Sequence, residues 1–180
     1  MTFGKYLSKM RGGGESPPRV GLREIGWSML GAFLGIGCCC YLSRRYLEPR
    51  DLTLVIASFG ASAVLIYAAV KSPLAQPRNL IGGHIFSAVV GVVCYQLLGG
   101  SWYSAALAVS CAIAVMLLTG TLHPPGGATA LLAVTGSVQV HNLAFFYVLV
   151  PVGLGAFIML VIALVVNNLS TGRRYPEWWF

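Results

Sequence analysis

A long stretch without charged residues constrains this chain more than any other feature. Between Asn79 and Gly172 the sequence contains no Asp, Glu, Lys or Arg, whereas about a quarter of the residues of a soluble domain are charged. Over the whole chain of 180 residues, 57% are hydrophobic and 9% are charged. This composition is typical of a polytopic membrane protein, and the length suits one helical membrane domain without a separate soluble module.

Five apolar stretches approach the length of about 20 residues that a membrane helix needs. They are Ile25–Leu42, Leu52–Val70, Leu80–Leu98, Trp102–Leu118 and Leu143–Val166. We therefore predict an all-α polytopic membrane protein with five to six membrane segments. Its expected parts are a basic cytoplasmic tail over residues 1–24, a transmembrane domain over 25–168 and an aromatic interfacial tail over 169–180.

The apolar pattern is broken by the segment TGTLHPPGGATALLAVTG, which runs from Thr119 to Gly136. Pro124 and Pro125 lack a backbone N–H and suit the start of a helix, while the residue before a proline avoids helical geometry. A helix from Pro125 to Gly136 would be about 18 Å long, roughly half a bilayer. This half-helix either re-enters on one side or completes a crossing, and a purely structural kink is the third alternative.

The distribution of the 12 basic residues distinguishes the first two alternatives. With the N-terminus inside, five crossings place seven basic residues inside and five outside, whereas six crossings place nine inside and three outside. The positive-inside rule therefore favours six segments.

Six segments allow an internal repeat of three plus three. Phe59–Leu65 aligns with Gly126–Leu132 at four identical positions of seven, which defines repeat units over 25–98 and 102–166. Because each unit has an odd number of crossings, the second unit is inverted relative to the first, as in many secondary transporters.

The two aligned stretches predict a binding site for a small anion that contains no Lys or Arg. A helix N-terminus carries about half a positive charge and unpaired N–H donors. We expect Ser58 to cap a helix that begins at Phe59, and we expect the two helix starts to face each other at the midplane. The predicted binding residues are His123, Gly126, Gly127, Thr129, Ser58, Gly60 and Ser62.

Three further residues are candidates for gating or for attracting an ion, namely Arg78, Asn79 and His84. For the first two, anchoring of a helix end among lipid headgroups is the alternative. For His84 the alternative is a position at the membrane interface. We expect His141 to be solvated in a polar loop.

Other classes of function lack a pattern in the sequence. The cysteines show no spacing typical of zinc ligands, and no hydrolase or phosphate-binding motif occurs. We therefore expect no enzymatic activity, no metal and no cofactor. The basic residues flank apolar spans, which indicates contact with lipids and not with nucleic acid. The expected partners are a small inorganic anion, membrane lipids and further copies of the chain.

The motif His123-Pro124-Pro125 resembles the signature of the HPP family of integral membrane proteins. Ser58–Leu65 and Ser72–Leu80, followed by Gly82-Gly83-His84, resemble further blocks of that family in the same order. The resemblance implies a domain usually described with about four membrane helices. Because plant chloroplast and cyanobacterial members are associated with nitrite transport, it also implies a small-anion permease.

The combined prediction is a transporter or channel for a small monovalent anion, with nitrite as the leading candidate. We expect it in a bacterial inner membrane with the N-terminus in the cytoplasm. The alternative is a non-transporting membrane scaffold or partner subunit, for which the HPP motif is only a kink.

Overall fold

The computed structural model of the protein describes residues 3–11, 14, 16, 18–48 and 56–180, and all regular structure within them is helical. The helices are α1 (Phe3–Ser8), α2 (Leu22–Leu42), α3 (Ser58–Ala68), α4 (Pro77–Leu98), α5 (Trp102–Leu118), α6 (Pro124–Thr135), α7 (Val138–Leu143) and α8 (Leu154–Leu169). A π-helical turn extends α2 to Leu47, and another, Val148–Gly153, leads into α8.

Among the described residues, three helical segments are long and apolar enough to cross a membrane, namely Leu22–Leu47, Pro77–Leu98 and Val148–Leu169. Two shorter apolar helices, α3 and α5, accompany them. The chain is therefore an all-helical membrane protein. Of the predicted second span, residues 52–55 lie outside the described residues, and the described part is the short helix α3.

The predicted break at the HPP motif is present. His123 has extended backbone angles (φ −137°, ψ 102°), and α6 begins at Pro124, one residue earlier than expected. Two prolines occupy the first turn, where a missing N–H removes no helical hydrogen bond. The fifth predicted span, Leu143–Val166, differs more. Helix α7 ends at Leu143, the π-helical turn begins at Val148 and bends at Val150, and α8 follows from Leu154. Pro151, inside this bend, lacks the N–H that a continuous helix requires.

The contacts between helices define their relative directions. Ser58 lies beside Thr129 and Ser62 beside His123, so that α3 and α6 are antiparallel. In contrast, α4 and α6 are parallel: a Cβ on Gly83 would meet the Cβ of His123, and a Cβ on Gly91 would lie 2.6 Å from the carbonyl oxygen of Ala130. These glycines allow α4 and α6 to approach closely, as small residues commonly do between membrane helices.

The packing contacts between helices are symmetrical. They are preserved when α2 is exchanged with α5, α3 with α6, and α8 with α4. Helix α2 packs on α3 and α8, and α5 packs correspondingly on α6 and α4. The contact between α3 and α8 corresponds to that between α6 and α4. The contacts of α3 with α6 and of α4 with α8 are each unchanged by the exchange.

A buried arginine fastens the C-terminal segment to the start of α2. Arg173 Nε lies 2.6 Å from Glu24 Oε1, and the Arg173 side chain is 3% exposed. Its remaining N–H groups donate to Tyr67 O, Asn167 Oδ1, Glu24 O and Ser28 Oγ. Because Glu24 and Arg173 are in contact, the start of α2 and the segment after α8 lie at the same end of the helical bundle.

This arrangement predicts that both termini face the same side of the membrane. We expect epitope tags at the N- and C-terminus to be either both accessible or both protected in sealed, oriented vesicles. Antibody binding before and after detergent permeabilisation measures this. One accessible and one protected tag would contradict the contact between Glu24 and Arg173 in the membrane.

Candidate functional site

Two histidines and three hydroxyl residues form a fully buried cluster between α3, α4 and α6. Its members, called here the histidine–hydroxyl cluster, are Ser58, Ser62, His84, His123 and Thr129, each at most 2% exposed. Ser58 and Ser62 are one turn apart on α3. His84 lies on α4, His123 immediately precedes α6 and Thr129 lies within it.

Each member of the cluster is within hydrogen-bonding distance of the next. Ser62 Oγ lies 2.7 Å from His84 Nε2 and 2.9 Å from His123 Nε2. His84 Nδ1 lies 2.8 Å from Thr129 Oγ1, which donates to Ser58 Oγ at 2.9 Å. At the other end, His123 Nδ1 lies 2.8 Å from the carbonyl oxygen of Leu74. The result is one continuous chain of polar atoms that begins at Ser58 and ends at a backbone carbonyl.

The extended segment before α6 is held by side chains at the start of α4. Asn79 Nδ2 donates to Leu122 O at 2.8 Å, and Arg78 Nη2 donates to Thr119 O at 2.6 Å. These bonds satisfy carbonyl groups that the break in the helix frees, which is required of irregular backbone at membrane depth. Asn79 and Arg78 therefore support the break. The cluster itself contains neither of them.

The four polar residues among the predicted binding residues come together, while the three glycines have other positions. The N–H of Gly126 donates to His123 O at 2.8 Å. The prediction of a free donor at this position is therefore wrong, and Gly126 packs against α4. Gly60 is exposed and Gly127 is half-buried, and both lie away from the cluster.

Two sequence expectations about helix starts are corrected by the same contacts. Ala57 is the N-cap of α3, and Ser58 is its first residue and makes no capping bond, because its hydroxyl instead accepts from Thr129. The two helix starts pass each other side by side and do not meet end to end, since Ser58, at the start of α3, pairs with the interior of α6. The overlap is about one helical turn, or roughly 6 Å.

The other two histidines of the sequence analysis also have unexpected surroundings. His84 is 0% exposed and belongs to the cluster. His141 lies on α7, where its ring stacks on Tyr95 at 3.7 Å between centroids and its Nε2 lies 3.2 Å from Val134 O. It therefore lies on a helix, half-buried and in packing contact, and not in a polar loop.

Sequence reasoning missed two residues beside the cluster. Tyr147 is buried and its hydroxyl donates to Thr129 O at 3.0 Å. Ser87 is buried and its hydroxyl has no hydrogen-bond partner among the described residues. The spacing signal for Ser87 is its position three residues after His84, which places both on one helical face. For Tyr147 the sequence carries no such signal.

The described residues contain no group of three or more His, Cys, Asp or Glu side chains arranged to hold a metal ion. The histidine nitrogens are engaged with hydroxyl and carbonyl oxygens. The cluster therefore provides hydroxyl and imidazole groups that donate and accept hydrogen bonds. Its two imidazoles can each gain a proton.

The apolar helices make this chain a helical membrane protein. Its interior contains a buried polar cluster where α6 begins. Comparison with known families gives the particular family: residues 17–176 match the model of the HPP transmembrane region. The chain belongs to the HPP transmembrane family.

Two transmembrane proteins of Dictyostelium discoideum are similar over nearly the whole chain. One is 46% identical over 184 aligned residues, which cover 100% of this chain and 59% of the relative. The other is 46% identical over 182 residues, which cover 98% of this chain and 64% of the relative. This chain thus spans about three fifths of the length of these relatives. No solved structure matches the chain.

Proposed function

We propose that the protein transports a small monovalent anion across the membrane and that the histidine–hydroxyl cluster is its binding site. The observation that carries this proposal is the complete burial of five polar side chains where α6 begins inside an apolar bundle. Ionisable side chains at such depth are costly and mark ion pathways in membrane proteins. Irregular backbone at membrane depth is likewise typical of transporter binding sites.

An unpartnered hydroxyl next to the cluster supports a ligand in this place. Ser87 Oγ is buried without a partner among the described residues, and it lies 2.6 Å from the position that a Cβ on Gly126 would take. A buried hydroxyl without a partner is unfavourable by about 1–3 kcal/mol, which a bound anion would relieve by accepting its hydrogen.

The helix directions support a topology of six segments in two inverted units. If α2, α3, α4, α5, α6 and α8 cross in alternating directions, α3 and α6 are antiparallel and α4 and α6 are parallel, as their contacts require. The exchange of α2, α3 and α8 for α5, α6 and α4 preserves the packing pairs. In this topology α3 and α6 are half-helices, and α6 is preceded by the extended backbone of His123.

The positions of basic residues support an orientation with both ends inside. At the bundle end that contains Glu24 lie Lys71, Arg78, Arg173 and Arg174. Arg44 and Arg45, in the π-helical turn after α2, lie at the other end. By the positive-inside rule the first end is the inner one. In the cell membrane of a bacterium, this side would be the cytoplasm.

A pocket at this inner end is the entrance we infer for the anion. Its volume is about 330 Å³, and its lining includes the exposed Lys71 and Arg174, the half-buried Ser72, and Glu24, which is paired with Arg173. Ser72 is two residues from Leu74, whose carbonyl oxygen lies at the end of the cluster. Positive charge at the mouth of a pathway raises the local concentration of anions.

Nitrite is the substrate to test first, because the family resemblance implies it. We expect the protein in proteoliposomes to conduct nitrite at rates well above those of protein-free liposomes. A double substitution of His123→Ala and Thr129→Val removes two members of the cluster, and we expect about a tenfold or greater reduction in flux, since each lost buried partner weakens binding by about 1–3 kcal/mol.

The matched control is His141→Ala with Thr135→Val, because Thr135 is exposed on the same helix and donates to Leu131 O of that helix. We expect this pair to retain the flux of the unchanged protein. Undiminished flux in the cluster variant would show that the site is elsewhere, and no flux in the unchanged protein would refute nitrite transport.

One observation favours the alternative function of an assembly scaffold. An apolar groove of about 420 Å³ lies between α3 and α6 and is lined by Ala61, Val64, Leu65, Pro124, Pro125 and Ala128. Together with the exposed Gly60, it offers a small-residue face on which membrane helices pack closely. A scaffold would assemble equally well with and without the cluster residues, which cross-linking of the double variant measures.

A further inference from the structure

We propose that the histidine–hydroxyl cluster binds a single proton and carries it together with each anion. This inference rests on the proposed transport function and adds a second substrate to it, the proton. It follows from counting the hydrogens that the cluster's hydrogen bonds require.

One end of the chain of hydrogen bonds is fixed by chemistry, and the other depends on the direction of one hydroxyl. A carbonyl oxygen only accepts, so the bond of 2.8 Å to Leu74 O requires a hydrogen on His123 Nδ1. At the other end the only hydrogen of Thr129 points to Ser58 Oγ at 2.9 Å or to Pro125 O at 3.3 Å. The contact of 2.8 Å between Thr129 Oγ1 and His84 Nδ1 therefore requires a hydrogen on His84 Nδ1.

Ser62, in the middle, can donate to only one of the two imidazoles. Its hydroxyl has one hydrogen and faces two Nε2 atoms, at 2.7 Å on His84 and 2.9 Å on His123. It donates to one and accepts from the other, which must then carry a hydrogen on Nε2 as well as on Nδ1. With the hydroxyls in this direction, one of the two imidazoles is a cation.

The cluster also has a neutral state with the same contacts. If the Thr129 hydrogen turns from Ser58 to His84 Nδ1, His84 keeps its hydrogen on Nε2 and donates to Ser62. Ser62 then donates to His123 Nε2, and both imidazoles are neutral. Gain of a proton at His84 Nδ1 thus needs only the rotation of one hydroxyl.

A second proton has no place in the cluster. With both imidazoles charged, Ser62 would face two donors, and its own hydrogen would have no acceptor there. The two positive charges would also lie on rings whose centroids are 5.0 Å apart. The capacity of the cluster is therefore one proton.

Among the described residues, the titratable groups packed around the cluster are engaged with other partners. From the segment before α8 the Tyr147 hydroxyl donates to Thr129 O, and from the C-terminal segment the Tyr175 hydroxyl donates to Ala75 O. On α4, Arg78 is exposed and bonded to Thr119 O. Arg173 is already paired with Glu24, and Tyr67 of α3 donates to Met159 O.

An anion that enters this interior needs a positive charge, because an isolated buried charge is strongly unfavourable. The sequence from Asn79 to Gly172 contains no Lys or Arg, so the protonated imidazole is the counter-charge within it. One proton taken up from one side and one anion cross together, and both are released on the other side. Transport in this form moves no net charge.

Nitrite flux in proteoliposomes of the full chain, with a pH-sensitive dye inside, tests this coupling. We expect an inward gradient of sodium nitrite to acidify the interior, an acidic exterior to drive accumulation, and a potassium diffusion potential to have no effect. Protein-free liposomes give the leak of undissociated nitrous acid. Flux that follows the potential without acidification would overturn proton coupling while leaving anion transport intact. No flux under either driving force would refute the transport function, and with it the coupling.

Substitution of the imidazoles identifies the carrier of the proton. We expect His84→Gln and His123→Gln to lose accumulation driven by the pH gradient, down to the level of protein-free liposomes, because an amide does not gain a proton near neutral pH. The matched control is His141→Gln, outside the cluster, with coupling unchanged. Coupling retained in both cluster variants would overturn the assignment. Thermal unfolding in detergent verifies that the variants fold, and if they do not, Ser62→Ala, which breaks the relay by removing one oxygen, replaces them with the same expected loss.

Discussion

Replacement of Arg173 by Met is expected to lower the free energy of unfolding by about 3 kcal/mol, since removal of one partner from a buried ion pair is unfavourable by about 3–5 kcal/mol. The lower end of that range applies because the Glu24 side chain is 38% exposed and regains water. The substitution also leaves Tyr67 O and Asn167 Oδ1 without their donor. For a chain of this size the midpoint of thermal unfolding falls by about 2–4 °C per kcal/mol, which tryptophan fluorescence in detergent micelles measures.

The adjacent Arg174 provides the control for this prediction. Arg174 is exposed, so Arg174→Met removes the same charge from the same segment without opening a buried network. We expect its midpoint to change little. Equal effects of the two substitutions would show that net charge, and not the buried contacts of Arg173, stabilises the C-terminal segment.

The double substitution Glu24→Gln with Arg173→Met separates the ion pair from the backbone contacts. If the loss in Arg173→Met came mainly from the unpaired carboxylate, removing that carboxylate's charge restores part of the midpoint. If it came from Tyr67 O and Asn167, the midpoint stays low. The second outcome would identify Arg173 as the cap of the α3 C-terminus.

Helix positions were predictable because they depend on local properties of the sequence. The fourth span, Trp102–Leu118, has the predicted bounds, since it is a continuous apolar run ended by Gly120 and followed by the HPP motif. The start of α6 followed from the missing N–H groups of Pro124 and Pro125. The bend at Val150 was not predicted, because a purely apolar run around Pro151 gives hydropathy no sign of where a helix begins.

The site was predictable only as far as its residues lie in the two broken segments. Ser58, Ser62, Thr129 and His123 were found there because polar residues in apolar runs stand out. His84 was predicted as a gating residue with the membrane interface as the alternative, since hydropathy alone does not give the depth at which α4 enters. Its depth is set by tertiary packing, namely the contact of Gly83 with the segment before α6.

Backbone donors at the start of α6 were the main error of the sequence analysis, and the reason is stereochemical. Two prolines remove two of the donors of the first turn, and the third, on Gly126, turns back to His123 O. The polarity at this place therefore comes from side chains and not from free N–H groups. This shifts the interpretation of the motif from anion binding by backbone N–H groups toward a site governed by hydroxyls and imidazoles.

The two glycines of the motif are expected to respond in opposite directions to replacement by Ala. A Cβ at Gly126 would lie 2.6 Å from Ser87 Oγ, 2.7 Å from Gly83 O and 3.0 Å from Met116 Sδ. Because one of these atoms belongs to the backbone of α4, the helices must separate. Such overpacking lowers the free energy of unfolding by about 1–3 kcal/mol.

A Cβ at Gly127 meets only Val109 Cγ1, at the ordinary contact distance of 3.8 Å. Gly127→Ala therefore adds helix propensity without strain and is expected to raise the free energy of unfolding by about 0.5–1 kcal/mol. The midpoints of thermal unfolding of the two variants, measured side by side in detergent, test the opposite signs of these effects. If Gly127→Ala were the more destabilising of the two, the packing of α6 on α4 through Gly126 would be wrong. If both lost nitrite flux at unchanged stability, the glycines would act on the anion and not on the packing. With the opposite signs expected here, Gly126 is the residue that holds α6 against α4 and keeps His123 within reach of Ser62.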